Sequence, residues 1–166
     1  MANEQKFPSE VVDLPSGGKV YPKDSPLSSG KIEIKYMTAK EEDILTSENL
    51  IKKGVVITKL LDSLIVTEGV KCDDLVLGDK NGIMVAARIL AYGPEYPASI
   101  VHPNTGETID VTFDLTNCPF KDIPDDLSEN GYEFELPVSK TKVTYKLLTG
   151  KDEDDINLEL KRINKI

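Results

Sequence analysis

The chain has 166 residues, 39% of them apolar, which is enough for the core of one compact domain. It carries 20 lysine and arginine residues against 29 aspartate and glutamate residues, a formal net charge of −9. A nucleic-acid-binding protein needs a concentrated basic surface, so this balance argues against nucleic acid as a partner.

The first 30 residues predict an extended arm rather than a domain. Four prolines stand there among serines and glycines, and prolines at that density forbid a helix. The segment still carries apolar side chains, among them Leu14, Val20 and Tyr21. We therefore expect residues 1–30 to lie extended on another surface, with these three side chains as candidate protein-binding residues.

Residues 31–96 predict a strand followed by a small helical subdomain. Lys31 to Tyr36 alternate apolar and charged residues, which indicates a strand. Thr38 and Glu41 have the spacing of a capping box, and a short helix to about Ser47 should follow.

Two longer helices complete this subdomain. Apolar residues recur at helical spacing from Val55 to Val66, which predicts the most buried helix of the protein. Asp79 has the place of an N-cap for the next helix, and Gly93 and Pro94 should end it.

Residues 97–148 predict antiparallel β-hairpins. Three segments alternate apolar with polar residues: 109–115, 132–136 and 143–147. That period of two is typical of strands with one buried face. Turn residues at 103–106 and 137–140 should join the strands as hairpins.

Residues 149–166 predict a C-terminal helix, which Thr149 and Asp152 should cap. Its apolar stripe is narrow and consists of Ile156, Leu160 and Ile163. A narrow stripe is typical of an associating seam, so these three side chains are candidate binding residues for a partner helix or a second copy of the chain. The alternative is that the stripe folds back on the sheet of the same chain.

No catalytic or metal site is predicted, and no cofactor is expected. His102, the single histidine, falls in a predicted exposed turn, where a catalytic base is not expected. Asp73 and Asp74 are adjacent, and adjacent residues of a helix do not share a face. Cys72 and Cys118 do not complete a four-ligand zinc set and should be free thiols.

The sequence shows no membrane span and no secretory signal. No stretch approaches the ~20 apolar residues that a transmembrane helix needs. Residues 1–6 lack the apolar core of a signal peptide, so we expect the protein to stay in the cytoplasm where it is made.

Five segments of the chain follow one another in a characteristic order: 14–22, 30–35, 38–46, 88–93 and 147–153. In that order they resemble the T4-type baseplate hub assembly proteins, and the resemblance covers the chain from about 14 to 155. It implies a small phage protein needed to build the hub at the centre of a contractile-tail baseplate. Similar proteins carry a Cys-Pro-x-Cys-Gly motif where this chain has residues 102–106, so a zinc site is not implied here.

The sequence thus predicts an α+β fold: an extended arm, a helical subdomain, antiparallel β-hairpins like a degenerate ribbon, and a C-terminal helix. The predicted function is non-enzymatic protein binding, as an assembly chaperone or a structural component of the hub. Its expected partners are other phage baseplate or tail proteins, which it would meet in the host cytoplasm during assembly or in the virion. Two alternatives stay open, a ribbon-type nucleic-acid-binding module and a tail-associated hydrolase that uses paired carboxylates.

Overall fold

The computed structural model describes residues 7–121, 123 and 131–164. Across them the fold is α+β, as predicted, with five α-helices and three two-stranded antiparallel sheets. The strands are β1 (Ser9–Asp13), β2 (Lys31–Lys35), β3 (Glu95–Val101), β4 (Thr108–Asp114), β5 (Tyr132–Glu135) and β6 (Lys142–Tyr145). The helices are α1 (Ala39–Thr46), α2 (Glu48–Lys53), α3 (Val56–Leu64), α4 (Leu77–Tyr92) and α5 (Gly150–Ile163).

Part of the N-terminal segment is extended, as predicted, but the expectation that it lies on another surface is wrong for the described residues. β1 pairs with β2 in antiparallel register, from Ser9 opposite Lys35 to Asp13 opposite Lys31. Because β1 lies at the edge of this sheet, the prolines that flank it remove no hydrogen bond of the ladder. A boundary at residue 30 would therefore cut through one structural unit.

Glycines close the N-terminal segment tightly onto the rest of the fold. Gly18 has a φ of +78°, and a Cβ added there would lie 2.5 Å from the backbone nitrogen of Gly30. On the other side, a Cβ at Gly82 in α4 would lie 2.5 Å from the ring of Pro15. The density of glycine and proline in this segment thus reflects close internal packing.

The core lies between the β1–β2 sheet, α3 and α4. Leu61 and Leu64 of α3 and Ile83 of α4 are fully buried against Ile34 of the sheet. The prediction that the helix near 55–66 forms the core of this part of the chain is confirmed. An apolar stripe on a helix must be covered by neighbouring elements, and the central position of α3 provides this cover.

The predicted capping box at the start of α1 is also confirmed, and it contains a buried charge. Glu41 is fully buried and accepts hydrogen bonds from Lys35 Nζ at 2.9 Å and Ser63 Oγ at 2.6 Å. It also accepts from the backbone nitrogen of Thr38 at 3.0 Å. Burial alone would raise the pKa of Glu41, but the bonds from Ser63, Thr38 and Lys35 outweigh it and lower the pKa to about 2.

α4 begins three residues earlier than predicted, with Val76 rather than Asp79 at the N-cap. Asp79 lies in the first turn and is fully buried, so its carboxylate faces the core instead of capping the helix. The short α2 was not predicted. It is a short helix that ends at Lys53, and Gly54 caps it with a φ of +72°.

Both predicted hairpins are present. β3 pairs with β4, and β5 pairs with β6, each as a separate two-stranded sheet. We call the β3–β4 hairpin the first ribbon and the β5–β6 hairpin the second ribbon. In each, only one edge of every strand is paired.

The last helix is held at its first turn. Thr149 and Asp152 form the predicted capping box, and the nitrogen of Gly150 donates to the carbonyl of Leu75 at 3.0 Å. Glu153 forms an ion pair with Lys80 of α4 at 2.8 Å. From residue 154 to 164 every side chain of this segment is exposed.

Candidate protein-binding surfaces

The three arm residues predicted to bind a partner lie in the core instead. Leu14 and Val20 are 2% exposed and Tyr21 is 9% exposed. Side chains with so little exposed surface cannot contact a partner, so the prediction that these three residues bind one is wrong. Alternation and proline content mark such a segment as extended, but they do not tell whether its apolar side chains face the same chain or another one.

A buried carboxylate explains why this segment is held in place. Asp79 accepts hydrogen bonds from the Ser16 nitrogen at 2.8 Å, from Ser16 Oγ at 2.6 Å and from Tyr21 Oη at 2.7 Å. The Tyr21 hydroxyl in turn accepts from the nitrogen of Val76 at 3.0 Å. Burial and the adjacent carboxylate raise the pKa of Tyr21 well above its usual value, so it stays a donor. The network ties residues 16–21 to the start of α4.

The first ribbon has one apolar face and one polar face. Three cross-strand pairs form the apolar face: Tyr96 with Phe113, Ala98 with Val111, and Ile100 with Ile109. Four of these side chains, at 96, 100, 109 and 113, are between 42 and 46% exposed. The alternation that predicted one buried face correctly identified the apolar face, but the described part of the chain leaves this face about half exposed.

Arg88 joins the base of this ribbon to α4. Its guanidinium lies 4.8 Å from the ring centre of Tyr92 and 5.8 Å from that of Tyr96. It also donates to the carbonyl of Gly93 at 3.2 Å. These contacts connect the end of α4 with the base of the ribbon, while the outer part of the ribbon's apolar face remains open.

The second ribbon repeats this design on a smaller scale. Tyr132 pairs with Tyr145 and Phe134 with Val143 on one face, and the two tyrosine rings are 5.2 Å apart. Phe134 and Tyr145 are more than half exposed. Two-stranded hairpins are marginally stable alone in water, and both ribbons leave an apolar face open.

The stripe on α5, formed by Ile156, Leu160 and Ile163, is also open. These side chains are 44, 50 and 61% exposed. On the opposite side of the helix, Asn157 and Leu158 line an open cleft with residues 53–55. The stripe therefore does not fold back on the described strands, and the surface that a seam would need is available.

Charges around the start of α5 support its position. The hydrogen bond from Lys146 lowers the pKa of Asp152 to about 2, and bonds from Thr149 act in the same direction. Burial would lower the pKa of Lys80, but its bond to Glu153 outweighs this and raises it. Both ion pairs therefore persist at neutral pH.

Of the residues considered for chemistry, Asp73 and Asp74 line a cleft with Asp24, whereas His102 lies in the turn of the first ribbon and Cys72 lies in the core. His102 accepts a hydrogen bond from the Thr105 nitrogen at 3.3 Å within its own turn. Burial raises the pKa of the Cys72 thiol to about 11, so it is protonated and not a nucleophile at neutral pH. In the described part of the chain, no group of three or more histidine, cysteine, aspartate or glutamate side chains could hold a metal ion.

The chain was compared with known proteins. No curated protein and no solved structure matches it. None of the helices within the described ranges has the length and apolar character needed to cross a bilayer. A family model described as T4 bacteriophage base plate protein matches residues 8–131, which include the N-terminal sheet, the helical core and the first ribbon. The chain belongs to this family of phage baseplate proteins.

Proposed function

We propose that this protein is a non-enzymatic, protein-binding component in the assembly of the baseplate hub of a contractile phage tail. It acts as an assembly factor or as a structural part of the hub, and its partners are other baseplate or tail proteins. Assembly takes place in the host cytoplasm, and a structural part would stay in the virion.

The observation that carries this proposal is the contrast between the two halves of the chain. In the N-terminal half, large apolar side chains such as Leu61 and Ile83 are buried in one core. In residues 94–164, the described apolar side chains lie mostly at the surface, on two ribbons and one helix stripe. A soluble monomer rarely exposes so many apolar side chains in ordered elements, whereas a subunit of an assembly covers them with its neighbours.

Membership in the baseplate family supports the same proposal from a different direction. A hydrolase would need two carboxylates roughly 5–10 Å apart beside a cleft. The buried carboxylates of Asp79 and Glu41 are instead satisfied by hydrogen bonds inside the core. A nucleic-acid-binding ribbon would need basic side chains, and the first ribbon carries acidic ones.

The test is co-sedimentation of the chain with baseplate intermediates from infected cells, followed by quantitative mass spectrometry of each fraction and of mature particles. We expect the chain in fractions that contain hub proteins. Its presence in mature particles identifies a structural part, and its loss identifies a transient factor. A chain found only as free protein would contradict the proposal, as would a salt-sensitive shift of DNA or peptidoglycan hydrolysis by the purified protein.

A further inference from the structure

A row of charged side chains runs along α5, directly beside its open apolar stripe. Each residue of the stripe is preceded in the sequence by a charged residue, and these three are Asp155, Glu159 and Arg162. Because they repeat the spacing of the stripe, four residues and then three, they line one flank of it. From the start of the helix to its end, the row is acidic, acidic and basic.

The charges of this row have no partner in the described part of their own chain. All three side chains are exposed, and none of them forms an ion pair among the described residues. The start of the helix differs in this respect, because Asp152 pairs with Lys146 and Glu153 pairs with Lys80. The charges of the row are therefore available to another molecule.

The two flanks of the stripe have different surroundings. Asn157 and Lys161, which belong to the other flank, line the open cleft with residues 53–55. The row lies across the stripe from this cleft, on the side of α5 that is turned to solvent. The stripe and the row thus form one continuous free surface, apolar in the middle and charged along one border.

We infer that α5 pairs with α5 of a second copy of the chain, antiparallel about a two-fold axis, with the two apolar stripes in contact. Such an axis brings the same flank of both helices together. Ile156 of one copy lies opposite Ile163 of the other. Because Arg162 directly precedes Ile163, it lies level with the position that follows Ile156 of the other copy. It therefore stands between Asp155 and Glu159 of that copy.

The row is complementary to itself only in this orientation. Each Arg162 side chain meets two carboxylates of the other copy, and the contact occurs twice. The two Glu159 side chains approach each other near the axis, but an Arg162 side chain lies next to each of them. A parallel pair would instead place every charge of the row opposite its like. The antiparallel pair also opposes the two helix dipoles and keeps the anchored first turns at opposite ends.

A second copy is favoured over a different protein because it supplies both features of the required surface. The occupant needs an apolar stripe and, beside it, a row of charges in the reverse order. The chain itself carries this combination on an exposed, ordered helix. The inference goes beyond the proposed function, since it concerns a contact between copies of the chain and not the contact with the hub.

The first test is a charge exchange in the purified full chain, measured by sedimentation equilibrium. Arg162→Glu makes the row entirely acidic, and Asp155→Lys combined with Glu159→Lys makes it entirely basic. Each variant alone should self-associate at least about tenfold more weakly than the unmodified chain, because repulsion replaces attraction in both symmetry-related contacts. A mixture of the two variants should associate at least as tightly as the unmodified chain.

Lys161→Glu is the matched control for Arg162→Glu. It reverses the charge of the neighbouring exposed residue, which lies on the other flank of the stripe. Its self-association should change by less than about twofold, as for a surface substitution outside the contact. Circular dichroism should show the same helix content in every variant, since all the exchanged residues are exposed.

The second test determines the orientation with a short bismaleimide cross-linker. Cys118→Ser removes the exposed native thiol, and Cys72 can stay because it is buried. Asp155→Cys and Arg162→Cys are introduced separately into this chain. At about 1.5 Å per residue, positions 155 and 162 of opposite copies lie about 3 Å apart along the antiparallel axis, whereas the two copies of position 155 lie about 13 Å apart. The mixture should therefore cross-link, and Asp155→Cys alone should not.

Three results would overturn the inference. They are a chain that stays monomeric at every concentration up to its solubility, a variant mixture that associates no better than its components, and equal cross-linking of Asp155→Cys alone and of the mixture. Co-sedimentation with baseplate intermediates is measured separately. A chain that fails these tests but joins the baseplate fractions refutes only the pairing of α5, whereas a dimer that never joins them refutes only the proposed function.

Discussion

Replacing Leu160 and Ile163 of the α5 stripe with glutamate should abolish an association without unfolding the chain. Full burial of a leucine or isoleucine side chain contributes roughly 1.5–3 kcal/mol. Leu160 is 50% exposed and Ile163 is 61% exposed in this chain. About half of that contribution, roughly 0.8–1.5 kcal/mol for each residue, is therefore still available to an interface.

Loss of both contributions should weaken association by roughly 15- to 150-fold, before the added cost of two desolvated carboxylates. Sedimentation velocity of the purified chain measures self-association, and co-sedimentation with baseplate intermediates measures binding to other proteins. Urea unfolding should change by less than about 0.5 kcal/mol, because both sites are at the surface.

Leu158→Glu is the matched control, since Leu158 is 54% exposed but lies on the opposite side of α5 beside Lys53. This variant should associate as the unmodified chain does. If the double variant unfolds the monomer, the stripe packs within its own chain and the surface is misassigned. If its assembly is unchanged, the stripe is not a seam.

Three further predictions concern the core. Leu61→Ala should destabilise the chain by roughly 2–5 kcal/mol in urea unfolding, because Leu61 is fully buried in α3, and a loss below about 0.5 kcal/mol would mean that the core is misplaced. Tyr21→Phe should lower the free energy of unfolding by about 1.5–3 kcal/mol, since it removes a donor to the buried Asp79 carboxylate and leaves the Val76 nitrogen without its acceptor. The control Tyr36→Phe removes an exposed hydrogen bond and should cost under about 0.5 kcal/mol. Equal effects of the two substitutions would refute the buried network. The pKa of Glu41 is about 2 in the folded chain against an ordinary value of 4.5, so its contribution is complete above about pH 4.5 and is lost as the pH falls towards 2. The loss should be roughly 3 kcal/mol, and Glu41→Gln should flatten this part of the stability profile in unfolding measured against pH.

Local signals in the sequence predicted the elements that local chemistry determines. The capping box of Thr38 and Glu41 gave the start of α1, and that of Thr149 and Asp152 gave the start of α5. The apolar stripe of α3 gave the core. These features depend on residues within one or two turns of each other, so the sequence displays them directly.

Long-range contacts were not predictable in the same way. Asp79 looks like a helix cap because it precedes an apolar run, yet its partners Ser16 and Tyr21 are about 60 residues away in the chain. Similarly, Val20 is apolar in a proline-rich segment, and nothing local tells that it faces its own core. The alternation in β4 identified the apolar face with Phe113, but alternation does not tell which molecule covers that face.

The central claim is that the chain builds the baseplate through its surfaces, and one infection experiment tests it most directly. A phage with an early stop codon in the gene of this chain infects a host that supplies the unmodified chain or none, and assembled baseplates are separated by sedimentation and counted by electron microscopy. We predict that infection without the chain yields no complete hub and baseplate, and that the supplied chain restores them. Normal numbers of complete baseplates without the chain would contradict the account.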